Sequence, residues 1–183
     1  MTHQKELFKA ARLYVGLPII GVAMILVRAG RTDGFILLWF TMITIFGYIA
    51  AVLDLESRRI PNGLNLAMLF AWLTTITPKL LFDTDRAVAL LWESALGAAI
   101  GGGLFLLVYV ISRKGLGGGD VKFIAAAGLY LGLGGVIPAM LYGTILAALT
   151  GVVLILLKKI GRKDSIPLAP FLYIGILLTV FLS

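Results

Sequence analysis

Two aspartates stand at the ends of long apolar stretches. One closes a run of glycines, Gly115-Leu116-Gly117-Gly118-Gly119-Asp120-Val121-Lys122. The other lies in Ala51-Val52-Leu53-Asp54-Leu55-Glu56-Ser57-Arg58-Arg59-Ile60-Pro61-Asn62. An ionisable side chain at the edge of a bilayer costs a few kcal/mol to hold there, so it marks a functional position by default. Two carboxylates brought together cannot both ionise easily and share one proton. The ionised member can then take a proton from water while the protonated member polarises a scissile carbonyl. Such a pair hydrolyses a peptide bond without a metal or a nucleophilic side chain.

The neighbours of the two aspartates admit more than one use. Glycines 115, 117, 118 and 119 leave the backbone beside Asp120 open to an extended substrate, and they would equally serve as a flexible interhelical turn. No Gly-Lys-Ser/Thr follows them, so they do not form a Walker-type phosphate loop. Arg58, Arg59 and Lys122 flank the carboxylates. Topological anchoring accounts for most of these cations, with tuning of the pair as a lesser role. The chain has no cysteine and one histidine, His3. That excludes disulfides and cysteine-ligated zinc, and it leaves no basis for a histidine metal site or a Ser–His pair. No metal and no cofactor are expected.

The elements that must carry these groups are membrane helices. Of 183 residues, 60% are hydrophobic and 14% charged, with a mean hydropathy of +1.03. A soluble domain is nearer half apolar and a quarter charged. The apolar runs are continuous and lack strand alternation, so helices span. The reading is a single all-α integral membrane domain. Its parts are a basic tail (1–12), an additional N-terminal helix and loop (13–34) and a catalytic core (35–183). Spans are expected at 13–27, 35–53, 61–77, 88–112, 120–131, 136–157 and 166–182. Pro78 is expected to close the third. Gly132-Leu133-Gly134-Gly135 should separate the fifth from the sixth, with Pro138 opening the latter. Gly97, Gly101, Gly102 and Gly103 permit close helix packing. Glu93 reads as an interfacial carboxylate paired with Arg86 or Lys79.

Charge orients the bundle. With seven spans and a cytoplasmic N-terminus, twelve of the 16 cations share one side and four the other, as the positive-inside rule prefers. If the short fifth segment did not cross, the bias would vanish. This arrangement places Asp54 and Asp120 on the same, cytoplasmic face. The net charge of +7 is therefore read as topology and headgroup contact, not nucleic-acid binding.

At these residues the sequence resembles a known family. Gly117-Gly118-Gly119-Asp120 matches the Gly-x-Gly-Asp motif of intramembrane aspartic proteases. Asp54 with Ile60-Pro61-Asn62 is similar to the first aspartate motif of the type IV prepilin peptidases, and Asp120-Val121-Lys122 agrees with their Gly-Asp-x-Lys. Residues 167–171 resemble a late Pro-x-Gly/Ala-Pro-Phe element. The resemblance covers about residues 36–182 and implies that Asp54 and Asp120 are the catalytic pair. Gly117, Gly118, Gly119, Lys122, Ile60, Pro61 and Asn62 would support motif geometry and substrate binding. It further implies a multi-pass inner-membrane endopeptidase that removes a short basic leader from prepilin-like proteins; the sequence leaves open whether it forms a homo-oligomer. Long members carry paired cysteines and also methylate the new N-terminus. This chain lacks those cysteines and is similar to the short, peptidase-only branch. Two other classes are compatible with the residues alone: a small proton-coupled transporter using the same aspartates, and a membrane scaffold.

Overall fold

The computed structural model describes residues 32–112, 115–159, 161 and 166–182, together with positions 19, 22, 23, 26–28 and 30. The basic tail 1–12 with His3, most of the first apolar segment, and the cations at 31, 113, 114, 162 and 163 lie outside the described residues. Within that first segment, the described residues 19, 22, 23 and 26–28 are helical.

All regular structure among the described residues is helical, in five further elements: α1 (Gly34–Ser57), α2 (Asn62–Phe82), α3 (Thr84–Ile111), α4 (Gly118–Leu156) and α5 (Ala169–Leu182). The first four are long and apolar enough to cross a membrane. Their outer surfaces are apolar: Leu81, Phe82, Ile111 and Leu156 are among the most exposed side chains. The two aspartates, by contrast, are buried, Asp54 at 5% exposure and Asp120 at 9%. Carboxylates turned inward behind an apolar shell are the arrangement a lipid solvent selects.

Local chemistry sets the helix ends. Asp33 starts α1 by accepting the Phe35 N–H at 3.0 Å, as an N-cap should. Arg58 ends α1 in the left-handed conformation (φ 53°, ψ 34°), donating its N–H to the Asp54 carbonyl. Pro61, in extended conformation, precedes the first residue of α2.

Three sequence expectations need correction. Pro78 does not close its helix, which runs on to Phe82. A proline removes one backbone hydrogen bond, and so near the end the last turn still forms, closed by Asp83 N–H to the Lys79 carbonyl. The expected loop from 79 to 86 shrinks to Asp83 alone. Pro138 lies inside α4 and does not open a helix, because the break needs only one residue, Gly132, whose φ of 63° and ψ of −175° suit glycine. The expected pairing of Glu93 does not form either. Arg86 is paired with Asp33 and Lys79 with Asp83, while the Glu93 carboxylate lies against Gly132.

Gly132 folds the chain back. Gly97 of α3 lies against Gly128 and Gly132, while Gly101, one turn further along, touches both Ile124 and Val136. Residues on either side of Gly132 thus straddle the same part of α3. The first arm of α4 (118–131) runs antiparallel to α3 and the second arm (133–156) returns beside it. Ser94 Oγ donates to the Leu129 carbonyl at 2.7 Å, satisfying an acceptor near the end of the first arm. The second arm packs on α5 through Gly143 against Leu172 and Gly175 against Ala139.

These contacts put two charged layers at opposite ends. Asp33, Lys79, Asp83 and Arg86 form one. There the Arg28 guanidinium also reaches the Val180 carbonyl near the end of α5 and lies over Phe40. The other holds both aspartates with Arg58, Arg59 and Lys122, and the chain reaches Lys158 and Lys159 at the same end. The 21 residues from Asp33 to Asp54 rise about 30 Å as helix, one hydrocarbon thickness. Between the layers sits a core of Trp39, Ile43, Phe123, Ile124 and Ile176, with Trp39 Nε1 donating to Thr75 Oγ1 and Tyr130 Oη to the Met68 carbonyl.

Candidate active site

Asp120 is the third residue of α4, counting from the N-cap Gly117. Its carboxylate turns back toward Gly117. This is the position of the reach-back residue of a capping box, with aspartate in place of glutamate. The contact explains one glycine. A Cβ on Gly117 would stand 2.7 Å from Asp120 Oδ2, closer than any side chain tolerates. The other oxygen, Oδ1, is buried and has no hydrogen-bond partner among the described residues.

Asp54 lies one turn before the end of α1. Its Oδ2 accepts the Ala169 N–H at 3.0 Å. Residues 166–168 are not helical, although the sequence suggested a helix from 166; α5 begins at Ala169. Pro167 disfavours helix in the residue before it, and the first N–H of α5, free of an intrahelical partner, is aimed at Asp54. Ile60, six residues after Asp54, packs on Gly119 beside Asp120, so the two carboxylates lie at the same end within electrostatic reach of each other.

The loop between α1 and α2 locks onto α4 beside them. Ile60 is buried and sits over Gly119, where a Cβ would come within 3.1 Å of the Ile60 carbonyl oxygen and 3.2 Å of its Cβ. Lys122 Nζ donates to Asn62 Oδ1 at 2.9 Å. The structure therefore brings Asp54, Ile60, Asn62, Gly117, Gly119, Asp120 and Lys122 together. Pro61 is exposed and serves the start of α2. Gly118 faces outward, with a ring atom of Tyr109 at 3.9 Å as its near neighbour. The backbone donor at 169 was not assigned a role from the residues themselves. The signal was the proline-flanked stretch after a polar loop. Among the described residues no three acidic or histidine side chains gather as a metal site would require.

Comparison with known proteins bears on this arrangement. The type IV leader peptidase family matches residues 35–154, a span that includes both aspartates and the fold-back at Gly132. The chain belongs to that family. Curated relatives include the prepilin leader peptidase/N-methyltransferases of Bacillus subtilis, 30% identical over 71% of this chain and 50% of the relative, and of Legionella pneumophila, 32% identical over 79% and 50%. That of Aeromonas hydrophila is 26% identical over 92% of this chain and 56% of its own length. The chain thus spans about half the length of the curated relatives it matches. No solved structure matches it.

Proposed function

We propose that this leader-peptidase family member is an intramembrane aspartic endopeptidase that removes the leader from prepilin-like substrates. The observation that carries the reading is the meeting of Asp54 and Asp120, two buried carboxylates from separate helices, at one charged end of an apolar bundle. The relatives, named as prepilin leader peptidases, supply the substrate class.

In the mechanism, a water between the two carboxylates loses a proton to the ionised member as its oxygen attacks the scissile carbonyl. The protonated member donates a hydrogen bond to the developing oxyanion. The proton then passes to the leaving amine. The backbone N–H of Ala169 orients Asp54. Water, peptide and two carboxyl groups suffice for the atom balance. The active end faces the cytoplasm in this reading, because Arg58, Arg59, Lys122, Lys158 and Lys159 belong to it and the positive-inside rule favours that orientation. The activity proposed is the peptidase half of the relatives' names, without N-methylation.

The test is co-expression with prepilins from the same genome, with mass measurement of the product N-terminus. Wild type should yield the shortened, unmethylated product. Asp54→Asn and Asp120→Asn should each abolish it while the protein stays inserted. Normal processing by either variant would sink the pair.

A further inference from the structure

Glu93 takes no part in the chemistry proposed above, and its place on α3 is unusual. The residue is exposed, and among the described residues its carboxylate has no ion pair. It stands about 14 Å inside the helix from Thr84. Hydrocarbon solvates a carboxylate poorly, so such a group seldom faces acyl chains.

The exposed stripe that holds Glu93 changes character there. Toward the start of α3 it carries Arg86 and Ala89, both exposed. Toward the end it carries Leu96, Ile100, Leu104, Leu107 and Ile111, all exposed and at the three- and four-residue spacing of a single helix face. From Leu96 to Ile111 this apolar part rises about 22 Å, against about 30 Å for the hydrocarbon of an ordinary bilayer.

The other helix of the seam repeats the measure. The first arm of α4, 118–131, rises about 20 Å before the chain turns at Gly132. The turn is level with Glu93, whose Oε2 lies 3.4 Å from where a Gly132 Cβ would stand. Just past it Gly134 is exposed, and a Cβ there meets nothing within 4 Å. A helix restarted after a break presents N–H groups without partners of its own, and acyl chains supply none. Trp92, beside Glu93, is 68% exposed, and tryptophan collects where membrane meets water. Both lengths fall short of the about 30 Å between Asp33 and Asp54 on α1.

We propose that the bilayer is thinned to about 20 Å beside α3 and α4, with water and headgroups of the leaflet opposite the active end drawn in to Glu93. The partner of this surface is the lipid itself. Hydration of the Glu93 carboxylate and of the backbone past Gly132 offsets the modest cost of deforming the leaflet. Around α1 the bilayer keeps its ordinary thickness, so the leaflet slopes from one side of the molecule to the other.

The chain has no cysteine, so single cysteines report local water. In phosphatidylcholine nanodiscs, which leave both faces open, Gly134→Cys should react with a charged maleimide about as fast as Phe82→Cys, exposed at the end opposite the aspartates. Ile100→Cys, within the apolar stripe, should react at least roughly tenfold more slowly, because a charged reagent is excluded from hydrocarbon. All three should react alike once unfolded in dodecyl sulfate. Glu93→Leu lengthens the apolar stripe by about one turn. It should slow labelling of Gly134→Cys by roughly tenfold and shift the greatest thermal stability toward lipids with longer acyl chains. Glu93→Gln should change both less. Labelling of Gly134→Cys as slow as that of Ile100→Cys would overturn the thinned bilayer. So would the same preferred chain length for wild type and Glu93→Leu, a comparison that needs no cysteine. Neither readout depends on peptidase activity.

Discussion

The Ala169 N–H donates to Asp54 Oδ2 at 3.0 Å, across 115 positions of sequence. The bond joins the end of α1 to the start of α5 and holds one candidate catalytic carboxylate from the backbone. No side chain provides this contact, so only a change of backbone chemistry can remove it cleanly.

Ala169→Pro is that change. Proline is tolerated at the first position of a helix, where its missing N–H disturbs no intrahelical bond. Leader cleavage should fall by roughly 10- to 100-fold, the value of a hydrogen bond to a charged group. The ring Cδ takes the place of the N–H and must displace the Asp54 carboxylate, so melting temperature is measured beside cleavage, whereas Ala169→Ser should cleave normally.

The glycines before Asp120 should separate in mutagenesis. Gly117→Ala places a Cβ against the Asp120 carboxylate, and Gly119→Ala places one against the Ile60 backbone. Both should lose most activity in a quantitative cleavage assay. Gly118→Ala meets nothing closer than 3.9 Å and should retain most of it. Equal losses at all three positions would point to loop flexibility as the reason for the glycines.

The α3–α4 seam should be intolerant of volume. A Cβ on Gly97 would stand 2.3 Å from the Gly128 carbonyl oxygen, whereas one on Gly103 meets nothing within 4 Å. Gly97→Ala should therefore destabilise the detergent-solubilised protein by about 1–3 kcal/mol or more, as overpacking does. Gly103→Ala should be neutral or slightly stabilising. Thermal unfolding of the two variants side by side checks this.

Acid should loosen the end of the molecule away from the aspartate pair. The Phe35 N–H, with Arg86 and Lys79, holds the Asp33 carboxyl below its ordinary pKa, and Lys79 does the same for Asp83. A carboxyl with a lowered folded-state value contributes stability above its unfolded value, near pH 4. That contribution is lost as pH falls through the folded value. Melting temperature should thus drop below about pH 4, and Asp33→Asn should show a smaller drop over the same range. Both groups face solvent, so the difference should be modest and should shrink in high salt.

The aspartates, their motifs and the break at Gly132 could be read in the sequence because each departs locally from an apolar background. What could not be read depends on which faces meet. A spanning helix is apolar on both its lipid and its protein side, so α1 and α4 carry no stripe to show where Trp39 or Phe123 will be buried. The contact of Ala169 with Asp54 pairs a backbone group with a distant side chain and leaves no mark on residue type. Pro78 was misplaced for a different reason. Its penalty near a helix end is small enough for the following turn to form.

The fold-back at Gly132 gives the two aspartates unlike supports. Asp54 sits on α1, which runs the whole distance between the charged layers. Asp120 sits on an arm that turns at the level of Glu93, nine residues or about 14 Å of helix short of the start of α3. When the surrounding bilayer thins or thickens, α1 must tilt to keep its ends wet, while the short arm has no far end to accommodate. The registration of the two carboxylates is thereby tied to the thickness of the membrane that holds them.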